Sequence, residues 1–174
     1  MFLSLRSLQS AHEHVEQRYD PSAFPPEGEG FRVVSPVTLV FDIDKQEIGR
    51  YRLVGHVGGT LELICGRCLE PFTLPVDEVF DLRYVPRTEN TGEGEREMEE
   101  DDLTTAFYTD EHIDLGHLMA EQFHLTVPMK PLCSENCLGL CPHCGTNLNT
   151  ATCNCRQTWE DPRLAALKEL RAKR

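Results

Sequence analysis

The sequence predicts an α+β protein with an antiparallel, barrel-like β-sheet, one long helix and a cysteine-rich module that ends in a C-terminal helix. Three observations carry this prediction. The first half of the chain alternates apolar and polar residues with the period of a strand, and the segment after Asp114 has helical spacing. Six of the eight cysteines fall between residues 133 and 155. A chain of 174 residues is long enough to form one compact domain with its own core.

Residues 1–86 are predicted to form an antiparallel β domain. The alternation over residues 12–19 predicts a short edge strand, and the Pro- and Gly-rich residues 21–30 predict a loop. A strand is predicted over residues 33–43, in which Pro36 indicates a bulge or a sheet edge. The β domain therefore begins with two strands joined by a loop.

Two turns are predicted within the rest of the β domain. Residues 44–49, DKQEIG, form the first turn, and Gly58 with Gly59 forms the second, because glycine accepts turn conformations that other residues avoid. The segments between and after these turns alternate apolar and polar residues up to residue 86. The expected result is an antiparallel meander.

Residues 87–112 are predicted to be an acidic, flexible loop. Residues 89–102 contain eight carboxylates and one arginine, with almost no apolar side chain, and contribute −7 to the formal net charge of −12. Burying such a segment would cost more in desolvation than it gains. A chain with this charge cannot clamp phosphates over its whole surface, so any nucleic-acid contact is expected to be local.

A helix is predicted over residues 113–131, capped at its N-terminus by Asp114 and ended by the two prolines of the sequence VPMKP. Its apolar face is expected to contain Leu115, Leu118, Met119, Gln122 and Phe123. The cysteine-rich module occupies residues 132–174. In that module, Asp161 and Pro162 are expected to begin a basic, amphipathic C-terminal helix.

The chain has no run of the length that a membrane-spanning helix needs, and its first ten residues lack the pattern of a secretory signal. The sequence therefore predicts a cytoplasmic protein without membrane contact. Thiols in the reducing cytosol rarely pair as disulfides, so eight cysteines there indicate metal or redox chemistry.

The eight cysteines form four closely spaced pairs. They are Cys65-x2-Cys68, Cys133-x3-Cys137, Cys141-x2-Cys144 and Cys153-x-Cys155. Zinc prefers four ligands in a tetrahedron, and a short spacer lets both thiolates of a pair reach one ion. We therefore predict that all eight cysteines are metal ligands and that the cofactor is zinc, with two ions per chain. Sets of four thiolates close the metal shell, which predicts structural sites and no enzyme activity.

The pattern leaves open which pairs share an ion. The preferred partition places Cys141, Cys144, Cys153 and Cys155 in one local site and leaves Cys65, Cys68, Cys133 and Cys137 to staple the sheet to the C-terminal module. The rival partition groups Cys133, Cys137, Cys141 and Cys144. One ion with spare thiols is a third arrangement.

Several segments together resemble the YceD family of large ribosomal RNA subunit accumulation proteins. They are CGRCLEPF after a strand, an IDLGHL helix leading to VP, then LCSENCLGLCPHCGTNLN, a C-x-C pair and DPRLAALKEL. The resemblance implies a bacterial or plastid protein needed for normal levels of large-subunit (23S) ribosomal RNA, and it implies no catalytic residues. In the family, some members lack the GLCPxCG and C-x-C segments together. This joint absence favours the preferred partition, which places the cysteines of these two segments in one site.

The resemblance leads us to expect a non-enzymatic factor in ribosome biogenesis, acting in ribosomal RNA processing or in ribosome assembly. The expected partners are large-subunit ribosomal RNA or its precursor, and ribosomal or RNA-processing proteins. Cations beside the cysteine hooks and on the tail are the candidate RNA contacts: Arg67, Lys130, Arg156, Arg163, Lys168, Arg171 and Arg174. The alternative is a zinc-stabilised protein–protein adaptor without direct RNA contact.

Overall fold

The computed structural model describes residues 1–24, 30–87 and 103–155. Its strands in chain order are β1 (Phe2–Ser4), β2 (His12–Tyr19), β3 (Phe31–Val33), β4 (Val37–Glu47), β5 (Arg50–Ile64), β6 (Pro71–Pro86), β7 (Thr105–Tyr108) and β8 (His112–Asp114), followed by helix α1 (Leu115–Thr126). Half of the predicted Pro- and Gly-rich loop (residues 25–29), the acidic residues 89–102 and the predicted C-terminal helix lie outside the described residues.

Six strands form a curled, mixed half-barrel in the order β2-β4-β5-β6-β7, with β3 added on β5. The antiparallel prediction is correct for β2 to β6, and the short edge strand predicted over residues 12–19 is confirmed as β2. The antiparallel prediction is wrong for β7, which runs parallel to β6. Parallel neighbours need a connection longer than a hairpin turn, and residues 87–104 separate β6 from β7 along the chain. Strands β1 and β8 form a separate antiparallel pair.

The core lies between the inner face of the half-barrel and helix α1. Alternate residues of β4 and β5 are buried, as the period of two requires, and they are Val37, Leu39, Phe41, Ile43, Tyr51, Leu53, Val57, Leu61 and Leu63. The face of α1 that packs against them consists of the five predicted residues, with Phe123 fully buried. Within the described residues, helix α1 therefore covers the inner face of the six-stranded sheet.

Helix α1 is shorter than the predicted span of residues 113–131. The predicted cap is confirmed, because Asp114 Oδ1 accepts hydrogen bonds from the backbone N–H groups of Gly116 at 2.9 Å and His117 at 3.2 Å. The helix ends at Thr126, since the residue before Pro128 is driven out of the helical region. Residues 127–131 instead connect the helix to the cysteine pair Cys133 and Cys137.

The strand predicted over residues 33–43 is two strands. Pro36 has no N–H to donate to a neighbouring strand, and residues 34–36 interrupt the predicted strand between β3 and β4. Both strands then pair with the same long neighbour, β4 with the first part of β5 and β3 with its last part. Pro36 thus marks a strand break where the sequence analysis expected a bulge or an edge.

The turn predicted at Gly58 and Gly59 is wrong, because β5 continues through both residues. Gly58 pairs with Asp77 and Gly59 with Val76 on β6, and Gly58 also pairs with Thr38 on β4. Ladder partners on both sides of Gly58, and the β6 partner of Gly59, hold the two glycines extended, which overrides their turn preference.

The segment predicted as a loop over residues 87–112 contains ordered structure at its end. Strand β7 occupies residues 105–108, and the buried Tyr108 hydroxyl donates to the carbonyl oxygen of Gly49 at 3.0 Å.

Among the described residues, no helix is long and apolar enough to cross a bilayer. The predicted cytoplasmic location stays a prediction.

Candidate metal centres

The first cysteine pair lies in the tight connection between β5 and β6. The backbone N–H of Cys65 donates to the carbonyl oxygen of Glu70 at 3.0 Å, and the N–H of Leu69 donates back to Cys65 at 3.0 Å. Leu69 has a left-handed backbone with φ of 60°. This closed turn directs the thiols of Cys65 and Cys68 to the same side.

The segment after helix α1 brings the second pair to this turn. The carbonyl oxygen of Pro131 accepts the N–H of Gly66 at 2.8 Å, and the carbonyl oxygen of Arg67 accepts the N–H of Leu140 at 3.0 Å. Gly139 has φ of 75°, and a Cβ there would lie 3.0 Å from the Arg67 carbonyl oxygen. Glycine therefore allows the two backbones to approach closely.

Site 1 is the group formed by Cys65, Cys68, Cys133 and Cys137, whose sulfur atoms all lie within 4.8 Å of one another. The Sγ atoms of Cys65 and Cys137 are 3.8 Å apart, and those of Cys68 and Cys133 are 3.7 Å apart. Four sulfurs at about 2.3 Å from a zinc ion form a tetrahedron with edges of about 3.8 Å. The spacing of the thiols in site 1 therefore fits a tetrahedral thiolate-bound ion.

The thiols of site 1 differ strongly in acidity. The backbone N–H of Cys68 lowers the pKa of the Cys65 thiol to about 6, whereas a hydrogen bond with the Cys137 side chain raises the pKa of Cys133 to about 12. The side-chain amide of Asn149 lowers the pKa of Cys137. Backbone and amide donors thus stabilise the thiolate form, which is the form that binds metals.

Site 2 is formed by Cys141, Cys144, Cys153 and Cys155, again with all sulfur atoms within 4.8 Å. Its CPHC turn is closed by the N–H of Gly145, which donates to the carbonyl oxygen of Cys141 at 2.9 Å. The Thr146 hydroxyl lowers the pKa of the Cys144 thiol to about 6. Site 2 is assembled entirely from residues 141–155.

The two sites differ in exposure and in what they connect. In site 1 only Cys133 is exposed, and Phe72 and Leu132 pack against the buried thiols. In site 2 both Cys144 and Cys155 are exposed. Site 1 joins the sheet to the segment after α1, while site 2 closes a local loop. This is the partition that the sequence analysis preferred, and the rival grouping is not formed.

Arg67 braces the site 1 hook. Its Nη1 donates to the carbonyl oxygens of Cys137 at 2.9 Å and Glu135 at 3.2 Å, although the side chain is exposed. Lys130 is also exposed, and it lies next to Pro131, whose carbonyl oxygen accepts the N–H of Gly66. The other five candidate RNA contacts, Arg156, Arg163, Lys168, Arg171 and Arg174, lie outside the described residues.

The sequence analysis missed the role of Asn149. Its Nδ2 donates to the Sγ of Cys137 at 3.3 Å, and its Oδ1 accepts the backbone N–H of Leu138 at 2.8 Å. Asn147 accepts from Asn149 as well, at 2.9 Å to Nδ2. The available signal is the Asn-Leu-Asn run beside the CPHC turn, because asparagine side chains often hydrogen-bond to backbone groups nearby.

Comparison with known proteins identifies the family. Residues 53–171, which include both sites, match the family model described as large ribosomal RNA subunit accumulation protein YceD. The chain is 30% identical over 145 residues to the large ribosomal RNA subunit accumulation protein YCED homolog 1, chloroplastic, of Zea mays, covering 70% of this chain and 49% of that protein.

Two relatives come from mycobacteria. Uncharacterized proteins of Mycobacterium bovis and Mycobacterium tuberculosis are each 33% identical over 106 residues, covering 61% of this chain and 48% of the relative. The chain thus spans about half the length of the curated relatives that it matches. No solved structure matches the chain significantly. Because the family match extends over more than half of its residues, the chain belongs to the YceD family.

Proposed function

We propose that the chain is a non-enzymatic factor that supports the accumulation of large-subunit ribosomal RNA, acting in RNA processing or in ribosome assembly. The observation that carries this proposal is the family match over residues 53–171, which contains all eight cysteines, most of β5, and strands β6 and β7. The name of the maize relative associates that protein with the large ribosomal RNA subunit.

We further propose that sites 1 and 2 each hold a structural zinc ion. Four thiolates suit zinc better than magnesium or calcium, which prefer oxygen ligands. A shell of four protein ligands leaves no open position for a water or a substrate, so it supports folding and not hydrolysis. The zinc ion would fix the turn at Cys65 and Cys68 to the hook at Cys133 and Cys137.

A pure, folded and reduced preparation is expected to contain two zinc ions per chain, because the eight thiols form two groups of four. Elemental analysis by mass spectrometry, combined with a thiol count, measures this ratio. The Cys144→Ser variant serves as the control and should keep one ion. A reduced, folded parent protein without metal would contradict the zinc proposal.

Direct RNA contact is proposed to use cations near the cysteine hooks and on the tail. Lys130, Arg171 and Arg174 are suitable test positions, whereas Arg67 is unsuitable because it also braces the hook at Cys137. Replacing these three residues by alanine should weaken binding to large-subunit RNA fragments. It should also lower the slope of log affinity against log salt by about one for each lost phosphate contact.

The matched control for this variant removes the same charge elsewhere. Arg6, Arg32 and Arg52 are each paired with a carboxylate, on Glu111, Glu62 and Asp81 respectively. Their replacement by alanine should leave the salt slope nearly unchanged.

Deleting the acidic residues 89–102 should leave RNA affinity equal or stronger. A parent protein that does not bind RNA at low salt would favour the protein-adaptor alternative.

A further inference from the structure

The loop of residues 145–152, which joins the two cysteine pairs of site 2, is packed against site 1. The backbone N–H of Leu148 donates to the carbonyl oxygen of Gly139 at 2.9 Å, and Leu140 forms a β-bridge with Asn147. Gly139 and Leu140 lie two and three residues after the site 1 ligand Cys137. The loop that site 2 closes is therefore joined by backbone hydrogen bonds to the hook of site 1.

Asn149 makes the contact from this loop to a site 1 ligand. The orientation of its amide is fixed, because the N–H of Leu138 can only donate and so must face Oδ1. The Nδ2 atom then faces the Sγ of Cys137 at 3.3 Å. Donors of this kind to metal ligands typically contribute a factor of about 10 to 100 in metal affinity.

The chain position of Asn149 links it to site 2. Asn149 lies between Cys144 and Cys153, and binding one ion through both residues shortens the free loop on which Asn149 sits. Closing a loop removes conformational freedom that would otherwise oppose an ordered contact. An ion in site 2 therefore lowers the entropic cost of holding Nδ2 against Cys137.

We propose that Asn149 couples the two metal sites, so that an ion bound at site 2 tightens the binding of an ion at site 1. The inference rests on the metal binding proposed above and adds the regulation of site 1 by site 2. Thermodynamic linkage requires the effect to be reciprocal, so an ion at site 1 tightens site 2 by the same factor. The exposed site 2 thereby makes the sheet anchor at site 1 responsive to the supply of zinc.

The test uses the full chain loaded with cadmium-113, which reports each thiolate site as a separate NMR resonance. The Cys155→Ser variant assigns the site 2 resonance, and competition with a chelator measures the affinity of each site. Asn149→Ala should weaken site 1 by about 10- to 100-fold. It should also weaken site 2 by at least about threefold through the loss of reciprocal coupling, although the described hydrogen bonds of the Asn149 side chain go to Leu138, Cys137 and Asn147 and not to a site 2 sulfur.

Two further variants separate coupling from a purely structural effect. Asn149→Asp keeps an acceptor for the N–H of Leu138 but removes the donor to Cys137, so both affinities should fall as in Asn149→Ala. Thr150→Ala is the matched control, because its hydroxyl donates to the carbonyl oxygen of Asn147 and not to a thiol. It should leave both resonances and both affinities unchanged.

The outcomes distinguish the coupling from the zinc proposal. An Asn149→Ala variant with a weakened site 1 and an unchanged site 2 would overturn the coupling and leave the zinc proposal intact. Equal site 1 affinities in the parent and in Cys155→Ser would overturn it as well. A parent without two thiolate-bound cadmium resonances would overturn both proposals.

Discussion

Cys68→Ser is expected to remove most of the stability of the protein. Cys68 is 3% exposed and contributes its thiol to site 1, which ties the β5–β6 turn to the segment after α1. A structural zinc ion contributes about 10 kcal/mol or more of apparent binding free energy, which is comparable with the whole stability of a typical domain. Thermal unfolding and zinc content, measured on the same samples, test this expectation.

Cys144→Ser is the matched control for this substitution. It makes the same chemical change in site 2, which is exposed and closes only residues 141–155. Its effect on the unfolding of the sheet should be limited to the coupling through Asn149, about 1 to 3 kcal/mol. If Cys68→Ser melts like the parent and retains its full zinc content, Cys68 is not a ligand and site 1 does not anchor the sheet.

Gly55→Ala is expected to have the second largest effect. Gly55 lies in β5 opposite Phe41, and a Cβ at this position would lie 2.1 Å from the carbonyl oxygen of Val40 and 2.4 Å from the Cβ of Phe41. Backbone atoms cannot move aside as a flexible side chain can. The two strands must therefore separate, at a cost of about 3 kcal/mol or more.

Gly58→Ala provides the comparison within the same strand. A Cβ at Gly58 would meet its nearest atoms, on Val76 and Asp77, at 3.7 Å, which is ordinary contact. Its effect should stay within about 0.5 kcal/mol. Denaturant unfolding of both variants, loaded with metal, measures the difference. Equal stabilities would show that β4 and β5 do not approach each other as described.

The parts of the fold that the sequence predicted correctly depend on local signals. Strand β2 follows from the alternation over residues 12–19, and the start of α1 follows from an Asp114 side chain that reaches its own helix. Such features can be predicted because the residues that make them are close in sequence. The grouping of the thiols is different, because their spacing left two partitions open and the family resemblance favoured the one that forms.

The parts that the sequence could not predict depend on partners far along the chain. Gly58 stays extended because both β4 and β6 pair with it, and Gly59 because β6 pairs with it. Strand β7 forms because β6 offers its edge. The contact between Asn149 and Cys137 joins residues only 12 apart, but it depends on how the folded loop places the Asn149 side chain, which the residue pattern does not show. Tertiary contacts override local turn and loop preferences at these positions.

The most direct test of the proposed function is the ratio of mature large-subunit to small-subunit ribosomal RNA in cells of the organism that encodes this chain. Cells that lack the chain should show a lowered ratio, and expression of the parent chain should restore it. Cys68→Ser, expressed at a comparable level, should fail to restore it, because the sheet and the cysteine module would no longer be held together. An unchanged ratio in cells that lack the chain would contradict the account.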